Sequence, residues 1–468
     1  MKQLLSFSYG GVCMAAISFL STPIITLLVL PEEFGKASVF AIALNIAFQA
    51  CLLGVDESFS RMFFEKKSGG ERAALARRCL ALALTATISA ICCFLPFSRR
   101  ISVALFGSDD TAAVPLLALC LVLSVLHSFA TAVVKMHKRG HLLSTTQIAY
   151  ALVNVAVTVV YALYVSPTFH AIVCGTAASL FVCAVASFLF ETRFWAQAPR
   201  GARFDMAEAA GLLRYGLPLV PAFIIASLFQ GMDKIALRAY ASFEEVGLYA
   251  AASKFAFVLS LMQFGFCLFW RPTSLERYEA DRKDVRFFEK IFEYAAVAVL
   301  ISAGLLLLLK DVVIYLLAPA YRSSVMIMPF LLFVPLMGLL SEITGSGIRF
   351  KKRTALYVIA AAVGVAVNFA GNYCLIPILG ARGAALSTGA AYIIYFIVQT
   401  RMAGRLFEAR YRIYGTIPAF LTITLFMALN TFYAVPWWCN AAPVAVVALI
   451  HKRLVADMAR AGLREFRK

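Results

Sequence analysis

The fold class this sequence predicts is an all-α integral membrane protein. It has about fourteen transmembrane helices, set as two six-helix lobes related by a pseudo-two-fold axis along the membrane normal, with two further helices at the C-terminal end. Three observations predict it: the composition, apolar runs of bilayer length, and an internal repeat. The 468 residues are 62% hydrophobic and 15% charged, with a mean hydropathy of +0.83. A soluble domain is about 45–50% apolar and about 25% charged, and runs of about 18 or more apolar residues recur along this chain, each long enough to span a bilayer as a helix. Soluble enzymes, nucleic-acid binders and secreted domains are thereby excluded.

In order, the expected spans are 7–30, 37–60, 79–98, 112–134, 144–165, 169–190, 214–232, 245–269, 289–309, 324–347, 355–377, 384–401, 413–431 and 436–450, the last being short. The first follows Lys2 and runs too long for a signal h-region, so it reads as a true span. An even count puts both termini on one side. With the termini inside, the inner segments hold 34 of the 43 Lys and Arg and the outer segments 8, namely Lys36, Arg99, Arg100, Lys234, Arg238, Lys310, Arg322 and Arg382. Lys254 falls within a span. This asymmetry is the positive-inside pattern and places both termini on the cytoplasmic side. The net charge of +18 therefore reports orientation and contact with anionic headgroups of membrane lipids, not nucleic acid.

No loop is long enough to fold alone, so the chemistry must lie in the bundle. The eleven cysteines show no metal-ligand spacing and read as small buried hydrophobes. The tail 451–468 reads as a basic amphipathic helix on the inner surface.

The repeat appears at an offset near 212. Phe243-Glu244-Glu245-Val246-Gly247 echoes Pro31-Glu32-Glu33-Phe34-Gly35, and Leu317 echoes Leu105. Lys351-Lys352-Arg353 echoes His137-Lys138-Arg139, Asn368 echoes Asn154, and Tyr215-Gly216 echoes Tyr9-Gly10. Two repeats of six spans keep the same orientation. The domain reading is 1–200 for the first lobe, 201–410 for the second, 411–450 for the last two spans and 451–468 for the tail. Transporters built from repeats hold the substrate between lobes and work by alternating access.

Ionisable residues within spans are functional candidates, because they are expensive there without a wet cavity or a partner. Lys254 lies about 12 Å below the outer end of span 8, at 1.5 Å per residue. It reads either as a cavity-lining cation or as a lysine neutralised by a structural partner. Arg61, expected to pair with Glu57 one turn before it, reads as a helix-end ion pair or as a base at the inner mouth of the cavity; Asp56 and Ser60 share a face of the same stretch. Gln230, Asp233 and Lys234 end span 7. Glu342 lies near the inner end of span 10. Asn45 and Gln49 share one face of span 2, as Asn368 and Asn372 do in span 11; such amides join helices more often than they bind ligand. No Walker A, HExxH or GxSxG sequence is present, and the five histidines form no ligand set. An enzyme is not expected, nor a cofactor; transport would be facilitated or driven by a gradient of H+ or Na+.

Three stretches carry a family resemblance: Gly54-Val-Asp56-Glu57-Ser-Phe-Ser-Arg61-Met-Phe-Phe-Glu65; Tyr215-Gly216-Leu217-Pro218-Leu-Val-Pro221 to Asp233-Lys234; and Glu245-Val-Gly247-Leu-Tyr249 through Lys254 to Trp270-Arg271-Pro272. On these the chain resembles the bacterial polysaccharide flippases of the Wzx type, a branch of the MATE/MOP transporter superfamily. Members often carry Asp-Arg where this chain has Asp233-Lys234, which keeps the charge but loses bidentate anion binding. The resemblance implies a cargo, an undecaprenyl-pyrophosphate-linked oligosaccharide turned from the inner to the outer leaflet for surface polysaccharides such as O-antigen. Glycan polymerase and assembly proteins are the implied partners. On this reading the chain lies in the bacterial inner membrane, Lys254 and Arg61 meet the anionic headgroup, Tyr249, Gln230, Asn45 and Gln49 meet sugars, and Lys234 and Arg271 complete the substrate-binding set. Asp56, Glu57, Asp233 and Glu342 are the ion-coupling candidates. Two other readings stand beside it: an ion-coupled MATE-like exporter of drugs, and a flippase for the peptidoglycan precursor, lipid II.

Overall fold

Apolar helices in a bilayer satisfy their own backbone, and helix is what the chain forms. A computed structural model describes residues 2–198, 206–282, 284–409, 411 and 413–465, and no strand occurs among them. The domain boundaries drawn at 200 and 410, the basic residues Arg200, Arg203, Lys283, Arg410 and Arg412, and tail residues 466–468 lie outside the described residues.

The helices are α1 (Lys2–Leu28), α2 (Pro31–Leu52), α3 (Val55–Met62), α4 (Gly69–Phe94), α5 (Ser98–Phe106), α6 (Ala113–Met136), α7 (Gly140–Tyr164), α8 (Phe169–Phe190), α9 (Thr192–Ala196), α10 (Met206–Gly216) and α11 (Val220–Tyr240). There follow α12 (Phe243–Ala280), α13 (Val285–Ile314), α14 (Met328–Leu331), α15 (Phe333–Thr344), α16 (Ser346–Phe350), α17 (Ala355–Leu379), α18 (Ala381–Gly404), α19 (Ile413–Phe432), α20 (Ala441–Ile450) and α21 (Lys452–Glu465). Among the described residues, eleven helices or helix runs are long and apolar enough to cross a membrane, and thirteen are if each of two bent pairs is one span. The expected fourteenth, 436–450, is the shorter apolar helix Trp437–Ile450. It falls short of the roughly 20 residues that a hydrocarbon core of about 30 Å requires.

Several spans expected as continuous are broken or bent. Span 2 divides at Leu53 (φ 53°) and Gly54 (φ 68°), both left-handed, between α2 and α3. Span 3 turns through a 3-10 segment at Leu95–Phe97, where Pro96 lacks an N–H, into α5. Span 7 turns at Leu217–Leu219 around Pro218. Span 8 bends by 45° between Ala256 and Leu259, and span 10 by 59° ahead of Met328.

The chain divides into two compact units, Met1–Ile235 and Ala236–Lys468. In the first, α1 packs along α7, and α8 packs against α7, α6 and α2. One core cluster joins Phe59 of α3, Phe63 just after it, Leu75 and Cys79 of α4, Phe129 of α6 and Leu212 of α10. A second stacks Phe106 between Phe40 and Phe169. In the second unit, α18 packs on α17 and α15, and α13 is covered by α19 and α20. The cysteines are only partly as expected: Cys51, Cys79, Cys120 and Cys183 are buried, whereas Cys92, Cys93 and Cys374 are exposed.

The repeat is visible in hydrogen bonding. Glu33 Oε2 accepts from the Phe169 N–H at the start of α8 (2.8 Å), and Glu245 Oε2 accepts from the Ala381 N–H at the start of α18 (2.7 Å). Each carboxylate thus satisfies an orphan donor at the positive end of a helix dipole. Asn154 Nδ2 donates to Thr176 Oγ1 (3.3 Å), and Asn368 Nδ2 donates to Thr388 Oγ1 (3.1 Å). Lys138 (φ 57°) and Lys352 (φ 55°) close equivalent helix ends in the left-handed region.

The repeat fails at α10–α11. Gly10 presses on Ser144 of α7, but its echo Gly216 presses on Gly54, and both α10 and α11 up to Ile235 belong to the first unit. A Cβ on Gly54 would lie 2.3 Å from the Gly216 carbonyl oxygen, and a Cβ on Gly216 would lie 2.6 Å from the Leu53 oxygen. Gly54→Ala must therefore both adopt φ > 0, costing roughly 1–2 kcal/mol, and displace a backbone, costing roughly 1–3 kcal/mol more. Gly211, on the same α10, faces open space. The expected result is a clear fall in thermal midpoint for Gly54→Ala and Gly216→Ala but not for Gly211→Ala, measured on the purified protein in detergent.

Candidate functional site

Two arginines and a glutamate gather where α12, α15 and α16 meet, at the end of the spans that the charge asymmetry places inside. Trp270 fixes the position on α12. It is fully buried, its rings lie 5.7 Å from those of Phe266 and Phe288, and its Nε1 donates to the Glu342 carbonyl (3.0 Å). The next residue, Arg271, meets the Glu342 carboxylate with two donors, Nη2 to Oε1 (2.6 Å) and Nε to Oε2 (3.3 Å). The helix then breaks at Gly345, and Arg349 of α16 returns to the same carboxylate, with Nη1 on Oε2 (2.8 Å) and Nη2 on the Glu342 carbonyl (2.6 Å). Arg349 Nε is shut from solvent and has no acceptor among the described residues.

Two guanidinium groups share one carboxylate, so the cluster retains a positive charge. The planar fork of arginine matches carboxylates and phosphates alike. Arg271 is the reachable member, its side chain 60% exposed against 20% for Glu342 and Arg349. Glu342 and Arg271, expected in separate roles, are therefore one ion-paired unit. Arg349 was legible only as an inner-side positive charge; its seven-residue spacing from Glu342 is two helical turns, a weak signal across a glycine break.

Lys254 lies half-buried on α12, two residues before Ala256, where the bend of span 8 begins. Ala250 and Ala251 are buried beside it, as small-residue spacing predicts. Tyr249, one turn earlier, is 5% exposed, and its hydroxyl lies 3.4 Å from Thr388 Oγ1. Asn368 donates to that same oxygen, and Asn372 Nδ2 donates to Asn368 Oδ1 (3.3 Å). This buried chain ties α12, α17 and α18 together, the helix-joining use of amides.

In the first unit, Asn45 of α2 accepts from Ser227 Oγ of α11 (2.6 Å), and Ile42 packs on Gly231. Gln49 is half-buried and Gln230 exposed; Asp233 and Lys234 are half-buried near the end of α11. Further along the same pair of spans, Gly54 meets Gly216 and Ser58 Oγ donates to the Leu212 carbonyl (2.8 Å). Glu208 then takes Lys66 (2.8 Å) and Arg78. Spans 2 and 7 thus run antiparallel in register, a pairing not legible in the sequence. Arg61 pairs with Glu65 (2.6 Å), one turn after it, and not with Glu57 as expected; both side chains are over half exposed. Glu57 is exposed, and Asp56 Oδ1 is buried with no hydrogen-bond partner among the described residues. The candidate residues of the first unit thus lie along α2, α3 and α11, and those of the second along α12 and α15.

The family model described as polysaccharide biosynthesis protein matches residues 2–268. No curated protein sequence matches the chain. Among solved structures, the chain is similar to lipid II flippase MurJ in an inward closed conformation, at 15% identity and TM-score 0.69, covering 98% of this chain and 99% of that one. It is similar to an inward-facing multidrug resistance MATE family transporter of the MOP superfamily at 15% identity and TM-score 0.60, covering 85% and 94%. A MOP superfamily transporter from Pyrococcus furiosus, described as having a binding pocket of reverse polarity, is similar at 16% identity and TM-score 0.53, covering 87% and 95%. At such identities the likeness is one of fold.

The shared carboxylate orders the effects of mutation. Losing an exposed partner costs about 0–1 kcal/mol, whereas stranding a buried charge costs about 3–5 kcal/mol. Arg271→Ala is expected to leave the thermal midpoint nearly unchanged. Arg349→Ala and Glu342→Ala are expected to lower it by several degrees, and equal effects from all three would contradict the asymmetry.

Proposed function

Because the chain belongs to the polysaccharide biosynthesis protein family, and has the fold of MOP-superfamily flippases and transporters, we propose that this multi-pass membrane protein turns an undecaprenyl-pyrophosphate-linked oligosaccharide from the inner to the outer leaflet by alternating access. The observation that carries the anionic cargo is the pair of guanidinium groups on one carboxylate. A pyrophosphate offers Arg271 a pair of acceptor oxygens for bidentate binding, as Glu342 does. Exchange of one anion for the other would leave Glu342 on Arg349 and give the headgroup a landing point on the inner side. Lys254, deeper in the same helix, is the proposed next contact, a point charge that holds the headgroup without fixing its angle. The prenyl tail can stay in lipid while the sugars meet amides and hydroxyls. Asp56, whose buried carboxylate oxygen lacks a partner among the described residues, is the coupling candidate best supported among Asp56, Glu57, Asp233 and Glu342. A cationic-drug exporter fits less well, because its cargo would be repelled by a cluster of net positive charge.

The second reading, a lipid II flippase, is favoured by the coverage and TM-score of the likeness to MurJ. It shares the pyrophosphate-lipid chemistry and differs in the glycan.

Gene deletion tests the reading, with a membrane-impermeant sugar-modifying probe applied to intact cells and to inverted vesicles. Single lipid-linked repeat units are expected to accumulate on the inner leaflet, with surface glycan lost and cell-wall synthesis intact. Accumulation on the outer leaflet would point to a later step, and arrested cell-wall synthesis to lipid II. In the complemented strain, Lys254→Ala is expected to slow flipping about ten- to a hundredfold at normal abundance, the ~1.5–3 kcal/mol of a charge-assisted contact. Wild-type flipping in that variant would remove Lys254 from the site.

A further inference from the structure

The two repeats differ in what covers one equivalent helix. At an offset of 212, α4 corresponds to α13 and Cys92 to Gly304. In the second unit, a Cβ on Gly304 would lie 2.8 Å from Val444 and 3.4 Å from Ile423, so α19 and α20 press directly on α13. In the first unit no protein helix takes that place among the described residues, and Cys92 is exposed. The most apolar stretch of the α13 helix is 44% buried, and that of the α4–α5 run only 11%.

Beside Cys92 lies a preformed cleft of about 270 Å³. Ile91, Phe94 and Leu95 form one wall, and Val114, Ala118 and Leu121 of α6 form another. Its roof is α5, which contributes Ile101 and turns aside where Pro96 interrupts the helix. The roof is held rigidly. Ser102 Oγ donates to the Ser108 carbonyl (2.9 Å) and accepts from the Asp110 N–H (3.0 Å), and Phe106 is locked between Phe40 and Phe169.

The roof also carries charge. Arg99 and Arg100 stand adjacent on α5, both exposed, on the side of the membrane that holds only 8 of the 43 basic residues. Arg99 pairs with Asp109 at 2.8 Å. Arg100 has no ion pair among the described residues. An apolar slot lined by Ile101, the residue that follows the exposed cation Arg100, has the chemistry of one ligand, a lipid with an anionic headgroup.

We propose that this cleft holds one anionic phospholipid of the outer leaflet, a chain lying under α5 and the headgroup on Arg100. In the first unit the lipid takes the covering role that α19 and α20 have in the second. The site is independent of the transported cargo.

The test uses the full chain purified in detergent, with phosphatidylglycerol or phosphatidylcholine added. Phosphatidylglycerol is expected to raise the thermal midpoint more than phosphatidylcholine does, and native mass spectrometry is expected to find one phosphatidylglycerol retained. Arg100→Gln, at an exposed position, is expected to lose the difference between the two lipids, and Arg100→Lys to keep it. Ala118→Trp, which fills the cleft, is expected to lose the retained lipid. Equal stabilisation by both lipids, or an undiminished preference in Arg100→Gln, would overturn the proposal. So would stoichiometric displacement of phosphatidylglycerol by a polyprenyl phosphate, or a wild-type dimer that Ala118→Trp disperses; these would assign the cleft to the carrier tail or to a second copy of the chain.

Discussion

A helix that breaks within a hydrocarbon layer frees carbonyls and amides that lipid cannot satisfy, so a break must be covered by protein. The close approach of Gly54 and Gly216 follows from this constraint. Span 2 breaks at Leu53-Gly54 and span 7 at Gly216-Leu217, and each break lies against the other, backbone to backbone. Neither residue tolerates a Cβ there. Once the two kinks interlock, α3 and α10 run antiparallel with their contacts in register: Ser58 reaches the Leu212 carbonyl, and Lys66 reaches Glu208. Leu212 then enters the aromatic cluster of Phe59, Phe63 and Phe129. Much of that end of the first unit depends on two glycines.

Carboxylates that are buried or half-buried obey the same economy. Glu33 and Glu245 lie on helix N-termini, Glu191 takes His137 and Arg139, and Glu342 takes two arginines. In each case a carboxylate is compensated by geometry that two or three elements supply together. The cluster at Glu342 holds more positive than negative charge, as that at Glu208 does, and one of its arginines is reachable.

The repeats show which parts of such a fold are constrained and which are free to diverge. The carboxylate caps, the Asn–Thr bridges and the left-handed lysines recur because each satisfies backbone or amide groups that lipid would leave unpaired. The lipid-facing side of the third span carries no such requirement. One repeat covers it with α19 and α20, and the other leaves a cleft.

What the sequence determined by itself was considerable. Apolar run length and the sidedness of Lys and Arg are properties of consecutive residues. They establish a multi-span helical protein, and the echoes of Glu33 at Glu245 and of Asn154 at Asn368 mark its repeats. Only tertiary structure decided which breaks and which charges meet. Arg61 turns to Glu65 and not to Glu57; Tyr249 is taken up by Thr388; Arg349 joins Arg271 on one carboxylate; and α10 packs on α3, 154 residues away at Ser58 and Leu212. Hydropathy and charge are summed along the chain and so can be read from it. A contact depends on how kinked helices close on one another, and no local pattern encodes that closure.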